Sequence, residues 1–374
     1  MRWPVLSRGE LRDRELFRRS RLRRASRRAG QPRGAGAAHL ASAAQHRRSG
    51  AGLRYSRWRK FIVSLGHVMK IVLAIGGNAL LRSGQTLNAD NQLQNIRRAA
   101  GPLARIAQGN DLVITHGNGP QIGLLALQSA ACSTTAAYPP DLRGAQTDGM
   151  LGYLLEQELA NLLPASRTVT TLLTRVEVDA QDPAFAQPTR FIGPVYSEQE
   201  AQRAAAAGHW QAARDGAGFR RVVASPQPLR VWGLDPIRWL LAHGAVVIAA
   251  GGGGMPVARG ADGQLHGVDA LIDQDLCSGL LAQDLQADCL LIATGVDAVY
   301  LDWGKPTQRA LGKVTPHMLA QHVFLSGSMG PKVEAACKFV LATGKKAVIG
   351  SVDRVEEMLA GKAGTEVSPH AAVL

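Results

Sequence analysis

Five short apolar runs each stop at a glycine or a polar turn, and this constrains the fold of the 374-residue chain more than any other feature. The runs are Ile71–Ile75 before Gly76-Gly77-Asn78, Leu112–Thr115 before His116–Gly119, Val246–Ala250 before Gly251–Gly254, Leu290–Thr294 before Gly295, and Ala347–Ile349 before Gly350. Aliphatic runs without polar alternation read as strands buried on both faces. Helical patterns lie between them. Gln92–Gln108 carries a stripe of Leu93, Ile96, Ala99, Ala100, Leu103 and Ile106, and Leu151–Leu163, Asp235–His243, Asp275–Leu285 and Lys332–Ala342 behave alike. Strand, loop and helix in alternation predict an α/β fold with a parallel sheet covered by helices. Ligands of such sheets bind at the carboxyl ends of the strands, where all these glycine loops fall.

Charge is distributed unevenly. The chain has a net charge of +14, a value that ordinarily points to nucleic acid or an anionic surface. Residues 1–68, however, hold 18 Lys and Arg against three acids, while the remainder holds 25 basic and 26 acidic residues. The domain from Met69 onward is near neutral and has no electrostatic reason to bind nucleic acid. The basic segment, with its dense arginine run ending at Arg28, cannot bury enough apolar surface to fold alone. It reads as a basic arm, as a targeting segment, or as an extension dispensable to the domain. Met69-Lys70 directly before the first apolar run favours the last reading. Cys132, Cys277, Cys289 and Cys337 form no CxxC pair and sit in or beside apolar stretches, which fits free thiols in a reducing cytoplasm. No run reaches the roughly 18 apolar residues of a membrane helix.

The region from about Asp179 to Arg221 breaks the rhythm and reads as an inserted lid or protrusion. Glycine after a strand lets backbone N–H groups approach an oxyanion, and a following helix N-terminus adds positive potential. A single such loop is equally a tight turn, but several after successive strands are harder to dismiss. There is no GxxxxGK[ST] loop and no protein-kinase motif set. The string His116–Gln121 suits a small planar anion, with His116 either a ligand or a turn residue. Asp275 opens an apolar helix and reads either as its N-cap or as an acid that orients lysines or a metal. Lys332 lies at a helix start, against the preference of the helix dipole, which suggests a phosphate contact.

Together these strings match a known family. From Met69 to the end, the chain resembles carbamate kinase, a member of the amino acid kinase fold. The matching strings are Ala74–Ala79, His116–Gly123, Pro188–Val195, Val222–Pro228, Gly251–Val257, Val268–Asp275, Thr294–Tyr300 and Gly327–Ala335, in the family's order. The basic segment has no counterpart. The resemblance implies a three-layer α/β/α sandwich with a mainly parallel central sheet, spanning 69–374, with a small protruding subdomain at about 180–222. It implies reversible phosphoryl transfer between ATP and carbamate, yielding ADP and carbamoyl phosphate. The reaction would run towards ATP in arginine or agmatine degradation, in the cytoplasm, with Mg²⁺ accompanying the nucleotide and a homodimer as the usual assembly. No metal-ligand cluster and no membrane or nucleic-acid partner is expected of the domain.

Carried over by position, Gly76, Gly77 and Asn78, with His116, Gly117, Asn118 and Gly119, would hold carbamate and the moving phosphoryl group. Lys332 would neutralise charge in the transition state and Asp275 would organise it. Thr294, Gly295, Val296, Asp297, Tyr300, Met329 and Gly330 would line the nucleotide site. Two departures stand out: Gln274 replaces the family's lysine between two aspartates, and Arg190 replaces a lysine in the protruding Pro-Thr-Lys string. Arginine keeps the charge and binds phosphate bidentately. Gln274 removes a cation, a loss worth about 10²–10³ in rate where such a group stabilises the transition state. That leaves two alternatives open: a catalytically weakened nucleotide or carbamoyl phosphate sensor, or a kinase of another small acid.

Overall fold

The apolar runs form the middle of one sheet. The structure is a computed structural model that describes residues 68–81, 84–131, 138–208, 210–325 and 327–370. The readings made for the basic segment 1–67 and for Cys132 fall outside the described residues.

The central sheet contains β1 (Lys70–Ile75), β2 (Asp111–His116), β3 (Val169–Leu172), β4 (Val246–Ala249), β5 (Cys289–Thr294), β6 (Lys313–Val314), β7 (Lys346–Ser351) and β8 (Thr365–Val367). Their order is β6-β8-β7-β5-β1-β2-β4-β3. The pairs from β7 through β3 are parallel, and β8 runs antiparallel to β7 at one side. The six helices that matter for the site are α1 (Gly77–Leu80), α2 (Ala89–Gly109), α3 (Gly119–Ala131), α4 (Pro140–Leu162), α5 (Gln274–Asp284) and α6 (Met329–Thr343).

Alternation along β1 makes the three layers. Ile71, Leu73 and Ile75 join a core that includes Ile96 and Leu103 of α2 and Leu151 and Leu155 of α4. Val72 and Ala74 join the opposite core, with Leu281 of α5 and Phe339 of α6. The expected α/β/α sandwich with a mainly parallel sheet is therefore what forms.

Helix α4 departs most from expectation, starting at Pro140 rather than near Leu151. Its first half buries Arg143, Thr147 and Asp148, so the inward face there is polar and the apolar periodicity that marks a helix is broken. Polar groups also replace part of the apolar stripe of α2. Leu93 is only half-buried, while Gln92 and Asn95 are buried. Asn95 Nδ2 donates to Leu80 O at 3.2 Å, and Gln92 Oε1 accepts from Gln121 Nε2 at 3.3 Å. These contacts tie α1 and α3 to the longer helix.

The insertion is a small three-stranded antiparallel sheet of Arg190–Tyr196, Gly218–Val223 and Gln211–Asp215, with a helix at Glu198–Gly208. Its Ile192 and Val223 pack with Leu271 against Ile122 and Ala126 of α3. A further four-stranded sheet, of Leu265–Gly267, Met255–Arg259, Arg175–Glu177 and Arg230–Val231, escaped the sequence reading because its strands are short.

The parallel ladder continues one step past the strands. Gly76 N donates to Ala293 O and Gly117 N to Ile75 O, each at 2.8 Å. The two glycine loops thus lie backbone to backbone. A Cβ on Gly117 would stand 2.6 Å from Gly77 N and 3.1 Å from its Cα. Neither neighbour is a side chain that can turn away. Gly117→Ala is expected to destabilise the protein by about 1–3 kcal/mol, read as a lowered midpoint in denaturant at unchanged slope. Stability equal to the parent would show that the loops are not held in contact.

Candidate active site

The site is built upward from the glycine loops. Gly76 and Gly117 direct their amides into the sheet, Ala79 N and Ile122 N donate to Gly76 O and Asn118 O, and Pro120 has no N–H, so the amides left for a ligand are early ones such as those of Gly77 in α1 and Gly119 in α3. A third loop, Gly251–Gly253 after β4, locks onto the second. Gly252 has φ +65°, and a Cβ there would fall 2.0 Å from Asn118 Nδ2. The Asn118 amide itself donates to Thr147 Oγ1 of α4 at 2.9 Å. A Cβ on Gly251 would fall 2.0 Å from Asp148 Oδ1 and 2.5 Å from the His116 ring. Only glycine permits this interlocking of three strand ends.

Against these loops stands a cavity of about 70 Å³. Asn118, Gly119 and Gly252 line it on one side, Arg190 and Arg220 of the insertion on the other, and Leu271 between them. The dimensions suit a ligand of a few heavy atoms.

Acidic residues of one segment hold the cations. Lys332 Nζ lies 2.7 Å from Asp275 Oδ2, both side chains being largely buried. The same Nζ lies 3.8 Å from where a Cβ on Gly76 would be, so the ammonium faces the first glycine loop. Burial pushes the Asp275 carboxyl above its ordinary value; the Lys332 ammonium opposes that push and the charge of Asp273 adds to it. Asp275 Oδ1 is buried and has no hydrogen-bond partner. Asp273 accepts from Asp275 N at 2.9 Å and from Leu276 N at 3.3 Å. The N-cap of α5 is therefore Asp273 and not Asp275, whose carboxylate instead meets Lys332. Asp273 Oδ2 also meets Arg190 Nη1 at 3.3 Å, which brings the insertion to the same helix end.

Two expected site residues turn inward. His116 is fully buried, with Nε2 3.3 Å from Asp148 Oδ1 and Nδ1 3.4 Å from Gly117 O. It does not line the cavity; it braces the second glycine loop against α4. Gln274 is buried as well. Its Nε2 donates to Thr115 Oγ1 at 3.0 Å, and the Thr115 and Ser278 hydroxyls are 2.6 Å apart. The amide is satisfied within a polar seam between β2 and α5. Gly77 and Asn78 belong to α1.

Of the residues expected at the nucleotide, Thr294 stands near Lys332 across the first glycine loop. Thr294 ends β5, with Oγ1 3.7 Å from the Gly76 Cβ position. Gly295, Val296 and Asp297 follow it in the chain, and Tyr300 donates its hydroxyl to Asp297 Oδ1 at 2.7 Å. Met329 and Gly330 open α6; Gly330 N donates to Leu325 O at 2.9 Å, and a Cβ there would stand equally close to that oxygen. Sequence reading assigned no role to Gly252, Arg220, Thr147 or Asp148. The Gly251–Gly254 run was a visible signal for the first, whereas the others carry no motif.

Comparison with known proteins agrees with this geometry. The profile of the amino acid kinase family matches residues 69–351. The carbamate kinase of Haemophilus influenzae is 52% identical over 300 residues, covering 80% of this chain and 97% of its own length. That of Rhizobium meliloti is 52% identical over 302 residues, covering 80% and 93%. Among solved structures, carbamate kinase from Giardia lamblia bound to AMP-PNP superposes with a TM-score of 0.76 at 36% identity, over 80% of this chain and 98% of that one. The chain belongs to the amino acid kinase family and is an enzyme of its carbamate kinase branch.

Proposed function

We propose that this enzyme transfers a phosphoryl group between carbamoyl phosphate and ADP, and that its working direction is ATP formation. An ADP β-phosphate oxygen attacks the phosphorus, the bond from phosphorus to the carbamate oxygen breaks, and carbamate leaves with the electron pair. Carbamoyl phosphate is a mixed anhydride and carbamate decomposes readily, so the chemistry favours ATP. That direction fits a catabolic setting, such as arginine or agmatine breakdown, in the cytoplasm. The observation that carries the reading is the Lys332–Asp275 pair set against the first glycine loop at the carboxyl end of the sheet. Phosphoryl transfer asks little of a protein beyond positioning and charge. Lys332 faces the equatorial oxygens, the first-turn amides of α1 and α3 take the oxyanions, and Arg190 closes the cavity from the insertion. Thr294–Asp297, Tyr300, Met329 and Gly330 hold the nucleotide.

A Mg²⁺ ion brought with the nucleotide would supply charge that neutralises its phosphates, and Asp275 would be the residue to hold it. The unpartnered Asp275 Oδ1 is a protein oxygen suited to it, since Mg²⁺ commonly takes one or two carboxylates beside phosphate oxygens. Gln274 favours one other reading, a protein that binds nucleotide or carbamoyl phosphate without turnover. ATP formation from ADP and carbamoyl phosphate, followed on the full chain and on Gln274→Lys, separates the two. Turnover in the parent and a gain of about tenfold or more in the variant are expected. Nucleotide binding without turnover in either protein would establish the sensor. An unchanged rate in Gln274→Lys would end the argument about charge at that position.

The Asp275 carboxyl must be ionised to hold Lys332, and burial makes it protonate at a less acidic pH than an ordinary aspartate. The acid limb of kcat is therefore expected above the ordinary aspartate range, and the residual activity of Asp275→Asn should lack that limb. An unaltered limb in the variant would assign it to another group.

A homodimer is supported by an apolar face on adjoining helices. Leu127 of α3 and Leu142, Met150 and Tyr153 on one side of α4 are exposed. Patches of this kind mark interaction surfaces in soluble proteins, and two-fold dimers bury one patch against itself. Light scattering should give twice the chain mass for the parent and a monomer for Tyr153→Asp; a monomeric parent would refute the assembly.

A further inference from the structure

Arg143 is a buried cation to which the proposed transfer site gives no task. It sits in the first turn of α4 with only 4% of its surface exposed. Its Nε is fully buried without a hydrogen-bond partner. Among the described residues no carboxylate lies within ion-pair distance of it. Arginine is almost never buried so completely unless paired. The acid that acts on it is Asp269, and both oxygens of that carboxylate are taken by Arg221 Nη2, at 2.8 and 3.1 Å. The cluster thus contains two guanidinium groups and one carboxylate. Burial, and then the charge of Arg221, pull the Arg143 guanidinium below its ordinary value, with Asp269 offsetting only part.

The cluster adjoins the cavity lining along the chain. Arg221 follows the lining residue Arg220, and Asp269 stands two residues before the lining residue Leu271. One turn along α4 from Arg143, Thr147 holds the lining residue Asn118.

We propose that Arg143, with Arg221 beside it, forms a second anion station at the foot of the 190–223 sheet, separate from Lys332 and Asp275, that takes a small oxyanion of the phosphate class. A guanidinium fork matches two oxygens of such an ion, and one anion brings the cluster to neutrality. A buried cation left unpaired opposes folding, so this position keeps its charge at the expense of stability, as binding sites do.

The test uses the full chain saturated with a non-hydrolysable ATP analogue, with inorganic phosphate titrated against chloride at constant ionic strength. Phosphate is expected to raise the melting temperature of the parent. Arg143→Met should melt about 2–4 °C higher than the parent without phosphate, and its apparent phosphate affinity should fall roughly 10- to 100-fold. It should still form ATP from carbamoyl phosphate and ADP. Arg143→Lys, which keeps the charge but loses the fork, should retain a weakened phosphate response. Three results overturn the proposal: no phosphate response in the parent, the same response in Arg143→Met, or a variant that melts lower or fails to fold. The last would show that Arg143 is already satisfied as a structural cation.

Discussion

The contact between the first two glycine loops governs the site. Gly117 lies against Gly77 with no room for a side chain, and hydrogen bonds from Gly76 and Gly117 carry the ladder of β5, β1 and β2 past the strand ends. Loops that leave a sheet usually diverge. Here they stay in register, so the first-turn amides of α1 and α3 start from adjacent backbone. The third loop presses on Asn118, His116 and Asp148 and fixes the second from behind. The amides converge because these strand ends were never allowed to separate.

Charge is arranged around that fixed point by one short segment. Asp269, Asp273 and Asp275 are each bound to a cation on a different element: Arg221 and Arg190 on two strands of the insertion, and Lys332 on α6. Each pairing is modest where solvent reaches it. Lys332 and Asp275 are the most enclosed of the three pairs, and there the desolvation of the carboxylate is the largest influence on its protonation. The carboxylate is an expensive group to bury, which is a reason to look for its use in chemistry.

Most of the fold was legible because its signals are local. The runs that became β1, β2, β4, β5 and β7 are apolar on both faces, and α2, α5 and α6 begin within three residues of the expected positions. Signals failed where the interior is polar. The first half of α4 buries Arg143, Thr147 and Asp148, and no hydrophobic period marks such a face. The glycine strings were recognisable in the sequence, and the fold brings their backbones together at the strand ends. A string cannot say which way the His116 imidazole turns; in the fold it faces Asp148 of α4. Gln274 reads in the sequence only as a missing cation; the fold adds that its amide closes a seam between Thr115 and Ser278, which no linear pattern announces.

Asp273 both caps α5 and receives Arg190 from the insertion. A cap fixes the dihedral angles of the first turn, and that turn carries Asp275. Any displacement of the strand Arg190–Tyr196 therefore removes a counter-charge from the cap and softens the backbone that aims Asp275 at Lys332. The Arg190–Asp273 pair thus joins the inserted sheet to the first turn of α5, so that a change of charge at position 190 is felt at the helix end that carries Asp275.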